Sequence, residues 1–153
     1  MNNPFTQPKA FITLLLLLIA FVSQGQTSEV FSTAEGAIGG YDPVAYFLQQ
    51  KPVKGEANIY YEWKEAKWHF ASTSNREMFI KNPEKYAPQY GGYCAYGVGE
   101  GGYKAATVPE AWAIVNQKLY LNYNQTVQKS WMAKKEAYIK QADQKWPLIK
   151  REK

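Results

Sequence analysis

Residues 83–102, PEKYAPQYGGYCAYGVGEGG, limit what this chain can fold into more than any other stretch. Pro83 and Pro88 fix φ on one side, while Gly91, Gly92, Gly97, Gly99, Gly101 and Gly102 relax it on the other. The only cysteine of the chain, Cys94, sits among Tyr86, Tyr90, Tyr93 and Tyr96. Neither a regular helix nor a regular strand suits that mixture. Tyrosine brings a large apolar body with one polar tip. The stretch therefore reads as a packed, irregular centre that shapes a pocket or a core around Cys94. Residues 97–102 match GxGxxG by spacing, but Tyr103, Lys104 and Pro109 follow, with no obvious helix to present its N-terminus to a phosphate. A nucleotide site is rejected.

The N-terminus reads as a secretory signal. Lys9 precedes an apolar run over residues 10–22, and Ser23-Gln24-Gly25 then gives small residues at the two positions a signal peptidase reads. The 13-residue run is short of the roughly 20 that a helical span needs. Cleavage after Gly25, a periplasmic or secreted location and no membrane span after cleavage are expected. No cysteine adjoins the site, so a bacterial lipoprotein is not expected. Residues 26–153 carry 17 basic and 13 acidic side chains, net +4. Residues 26–123 are close to neutral at −1, and residues 124–153 carry +5. The basicity belongs to the C-terminal segment, where a solvated outer helix face explains it. Nucleic acid is not an expected partner of an exported chain. A single cysteine forms no internal disulfide.

Along the chain, residues 26–37 are small and polar and read as a loose lead-in. The domain is expected over 38–148. Asp42 and Pro43 start a short helix, as cap and first helical residue. Residues 59–64 (IYYEWK) and 67–71 (KWHFA) read as an aromatic β-hairpin. Ser72 to Ser74 cap a helix over 75–81, with Met78 and Phe79 inward. Residues 111–115 and 119–122 read as a second hairpin. Asn124 caps a long helix over 125–145, with Val127, Trp131, Tyr138 and Ala142 on one face. The fold class is α+β: a small antiparallel sheet of short strands packed by helices, with a long C-terminal helix.

Three blocks together resemble the YHS domain family: Asp42-Pro43-Val44, Trp68-His69-Phe70-Ala71-Ser72, and residues 79–86 (FIKNPEKY). They cover residues 40 to about 90, and residues 89–94 and 119–124 resemble an exported single-domain branch. The resemblance implies a small metal-associated α+β domain. Its metal-binding members place cysteines where this chain has Ala45 and Ala71. His69 and Cys94 are left as the soft or borderline donors.

Three readings of function follow. In the first, Cys94 and His69 bind copper, or zinc as second choice, with Met78, Asp42 or a tyrosine as a third ligand. In the second, Cys94 is a buried core residue of a non-catalytic module. A cleft near Tyr41, Tyr46, Tyr90, Tyr93 and Tyr96 then holds an unknown small ligand, or the surface meets a periplasmic protein. In the third, Cys94 and His69 with Asn122 or Asp42 form a thiol enzyme. No catalytic constellation stands out, and no resolving cysteine is present. Strand alternation adds one constraint: if Trp68 and Phe70 face the core, His69 faces away from it. The protein is expected to be a monomer. Copper binding or handling is the leading expectation.

Overall fold

A computed structural model describes residues 28–151. The expected signal segment, residues 1–25, lies outside the described residues. Two small strands, β1 (Ser32–Thr33) and β2 (Gly36–Ala37), come first, followed by a 3₁₀ turn at Ile38–Gly40 and helix α1 (Pro43–Leu48). Strands β3 (Glu56–Trp63) and β4 (Ala66–Phe70) form the first long hairpin. Helices α2 (Thr73–Lys81) and α3 (Pro83–Tyr86), a 3₁₀ turn at Gln89–Gly92 and helix α4 (Ala95–Gly101) follow. Strands β5 (Val108–Val115) and β6 (Lys118–Asn122) form the second hairpin, and α5 (Gln125–Ala133) and α6 (Lys135–Ile149) close the chain. The class is α+β. Among the described residues there are, instead of one sheet, three separate antiparallel strand pairs, β1–β2, β3–β4 and β5–β6.

Local chemistry explains most of these elements. The Asp42 carboxylate accepts from the Val44 and Ala45 N–H groups at 2.8 and 3.3 Å, and Pro43 fills the first helical position. Ser72 caps α2 by accepting from the Asn75 N–H at 3.1 Å. Asn124 caps α5 by accepting from the Val127 N–H at 2.8 Å. Both long hairpins close through two residues with positive φ: Lys64 and Glu65 at 51° and 59°, Asn116 and Gln117 at 50° and 62°. That is the turn whose twist matches the strands, and only Asn116 is a residue that favours it.

Strand β6 divides the interior. Leu119 and Leu121 point into a first core with Val44, Tyr46, Trp68, Phe70 and Phe79. Tyr120, on the opposite face, belongs to a second core with Tyr90, Val98, Trp131 and Ala142. The alternation of a strand thus serves two hydrophobic clusters. Phe79 sits amid Trp68, Phe70 and Trp63, with ring centroids at 5.2, 5.3 and 5.6 Å.

Three expectations need correction. Residues 28–37 are not a loose lead-in: Val30 and Ala37 are buried in the first core. The Phe31 N–H donates to the Gly91 carbonyl at 2.9 Å, and the Tyr93 hydroxyl donates to the Ser28 carbonyl at 2.8 Å. The helix expected over 125–145 comes as two, broken at Lys134 with φ −137° and ψ 33°, and the second runs on through Pro147. Finally, the glycine-rich stretch contains a helix, α4. It packs along α6 so closely that a Cβ at Gly99 would lie 2.7 Å from the Tyr138 carbonyl oxygen. Glycine is there for close approach, not for looseness. Among the described residues no helix is long and apolar enough to cross a membrane.

Candidate ligand cleft

Cys94 is buried just before α4. Its sulfur accepts from the Tyr123 N–H at 3.3 Å and lies 3.8 Å from Asn122 Oδ1. Asn122 Oδ1 also accepts from the Tyr96 N–H at 3.2 Å. The thiol forms part of the floor of an apolar hollow of about 250 Å³ walled by Tyr96, Tyr103 and Tyr123.

His69 stands elsewhere. It lies on β4 opposite Trp68 and Phe70, as alternation requires, yet it is also buried. The segment read as a lead-in covers it. A Cβ at Gly36 would lie 2.7 Å from His69 Cδ2, and one at Gly55 would lie 2.7 Å from His69 Cβ. His69 Nδ1 lies 3.2 Å from the Glu56 carbonyl oxygen. A carbonyl only accepts, so Nδ1 carries the hydrogen and Nε2 keeps its lone pair in the neutral ring.

The expected partners are therefore not brought together. His69 and Cys94 line separate hollows that share no residue. Met78 packs on α2 against the first core. Among the described residues no group of three or more His, Cys, Asp or Glu side chains could hold a metal ion. The thiol-enzyme constellation is half assembled: Asn122 meets Cys94, but His69 is at the other hollow. Asp42 is committed elsewhere. Its second oxygen accepts from the Ala71 N–H at 2.8 Å and from Asn75 Nδ2 at 2.6 Å.

The five tyrosines do not form one cleft either. Tyr41 lies under the Lys54 ammonium, 4.9 Å from the ring centroid. Tyr46 is core, with its hydroxyl donating to the Pro109 carbonyl at 3.1 Å and its pKa pushed up, first by burial and then by Glu110. Tyr96 packs on Tyr138 with centroids 5.0 Å apart. Tyr93 packs on Trp146, and burial raises its pKa. Only Tyr90 lines the aromatic cleft described next.

That cleft, of about 180 Å³, opens at the seam between the two cores. Trp63 ends β3, Trp68 lies on β4, and Trp146 projects from α6. Trp63 and Trp146 are half-buried, whereas Trp68 is fully buried and donates its indole N–H to the Trp63 carbonyl at 3.1 Å. Tyr90 holds a left-handed backbone, φ 55° and ψ 36°, which aims its ring toward α6. Its hydroxyl donates to Asp143 Oδ1 at 2.9 Å, and burial followed by that bond raises its pKa. Next to Tyr90, Gly91 has φ 61°, and any Cβ there would overlap the Glu29 carbonyl oxygen.

Charge rims the aromatic walls. The Lys64 ammonium lies 4.4 Å from the Trp63 ring centroid, 3.3 Å from Glu29 and 3.1 Å from Glu84. Arg151 lies 3.6 Å from Glu29. Asp143 has no cationic partner among the described residues. Pro147 lies inside α6 and has no N–H to give to the carbonyl of Asp143 one turn earlier. This face of the helix therefore offers a carboxylate and a carbonyl.

No family model, curated protein or solved structure matches the chain.

Proposed function

We propose that this chain is a non-catalytic binding module that seats a small, flat ligand in the cleft between its two cores. The observation that carries this reading is the pair of half-buried indoles, Trp63 and Trp146, lining the same cleft from different elements. Aromatic surface left half open at a seam is costly to hydrate, and a flat ligand would cover it. The size sets a limit. A cavity of roughly 150 Å³ holds benzene, so about 180 Å³ suits a single substituted ring.

Copper or zinc handling by Cys94, His69 and Met78, the role implied by the resemblance to YHS domains, draws less support from the geometry. The donors stand in separate places, and the sulfur is already engaged by the Tyr123 N–H and the Asn122 amide. In the binding reading Cys94 is a core residue.

A ligand-observed NMR screen of single-ring compounds tests the proposal, run on the wild type and on Trp63→Ala. Hits are expected on the wild type and are expected to weaken by about tenfold in the variant, the scale of one lost aromatic contact. Hits that bind both proteins equally, or no hits at all, would remove the cleft as the site.

A further inference from the structure

The cleft already holds a cation. Lys64 belongs to the turn between β3 and β4, at φ 51°, where the left-handed backbone is costly for lysine. From that position its ammonium meets three groups of the cleft: the Trp63 ring face, Glu29 and Glu84. The distance of 4.4 Å to the ring centroid lies well inside cation–π range. The two carboxylates come from chain segments far apart in sequence, so the site is built by the tertiary fold.

We infer that the ligand of this cleft is an organic cation, a protonated amine on a flat apolar body, and that Lys64 is a built-in competitor occupying its ammonium position. The inference rests on the cleft being the binding site. It names the ligand class and the residue that sets affinity. When a ligand ammonium displaces Lys64, Trp63, Glu29 and Glu84 exchange one cation for another. The ring of the ligand then lies against Trp146 and Tyr90. Asp143 supplies a further carboxylate that no side-chain cation of the described residues neutralises. The Lys64 stem then swings outward into solvent, and its side chain is already 36% exposed.

An internal competitor lowers the apparent affinity for an external ligand, because the competitor must first leave. Removing it should therefore tighten binding. Titration calorimetry with benzylammonium and with its neutral analogue benzyl alcohol would measure this on wild type, Lys64→Ala and Lys64→Met. Alanine occupies the positive-φ position at a cost similar to lysine, and the Lys64 side chain belongs to neither core, so the variants are expected to fold. Benzylammonium is expected to bind Lys64→Ala about tenfold more tightly than wild type, with a smaller gain for Lys64→Met, whose stem still covers the ring. Benzyl alcohol is expected to bind all three more weakly than the amine. If the alcohol binds Lys64→Ala as tightly as the amine does, the cleft is a binding site but the cation assignment is wrong. If the amine binds all three proteins equally, Lys64 is no competitor and the inference falls. If neither compound binds any of them, the cleft reading falls as well. A parallel titration with Nα-acetyl-lysine amide separates a free arylamine from the lysine side chain of a partner protein as the source of the cation.

Discussion

At Asp42 one carboxylate meets four donors: two N–H groups of α1, the Ala71 N–H at the end of β4, and the Asn75 side chain on α2. The residue is fully buried. A helix cap alone contributes about 1 kcal/mol, but here the same group ties three elements together. Asp42→Ala would strand four donors, three of them buried and the Ala71 N–H half-buried, and a buried donor left unpaired costs free energy. A loss of about 3 kcal/mol in urea denaturation is expected. An unchanged midpoint would mean that water replaces the carboxylate. The sequence showed Asp42 as a cap because the pattern Asp-Pro-Val is local. Its bonds to Ala71 and Asn75 span 29 and 33 residues and leave no local trace. Lys64 is a similar case. Its sequence neighbours mark a turn, while the cation it places in the cleft depends on Glu29 and Glu84.

Among the elements, those marked by their own residues were legible: α1 from its cap and proline, α2 from Ser72, and both hairpins from their aromatic and β-branched runs. The turns were harder to read, because positive φ at Lys64, Glu65 and Gln117 has no glycine to signal it. This points to a stabilising change. Gln117→Gly would relieve a left-handed cost of about 1 to 2 kcal/mol at φ 62° and, after the roughly 0.5 to 1 kcal/mol that the entropy of the unfolded glycine takes back, is expected to add a net of about 1 kcal/mol. Thermal melting would show a rise of about 4 °C, and a fall would mean that the Gln117 side chain has an unrecognised role. Helix α4 was illegible for a different reason. Its glycines argue against a helix on propensity, but Gly99 fits beneath the Tyr138 backbone where no other residue would. The break at Lys134 has no proline or glycine to announce it.

For the molecule as a whole, the fold class followed from the mixture of elements, but the two-core layout did not, since it depends on which face of β6 meets which helix. The cleft at the seam was equally hidden: Glu29, Lys64, Tyr90 and Asp143 lie far apart in sequence. Residues 28–37, which composition marks as loose, join the two cores, with Val30 in the first and Ser28 held by Tyr93 and Lys104. A chain that begins at residue 38 is therefore expected to lose cooperative unfolding. Calorimetry would show the sharp transition of the longer chain replaced by a broad one. A sharp transition in the truncated chain would mean that the segment is dispensable.

That joining segment also imposes an order on assembly. Its residues precede in the chain the groups that hold them, Gly91, Tyr93, Lys104 and Arg151. No bond to Gly91 can form before residue 91 has been made, and the Glu29–Arg151 pair must wait for residue 151. The opening segment is thus a late-closing clasp. During translation the hydrophobic Val30 waits for the later residues of its core, Leu119 and Leu121 among them, and the clasp closes only once they have been delivered.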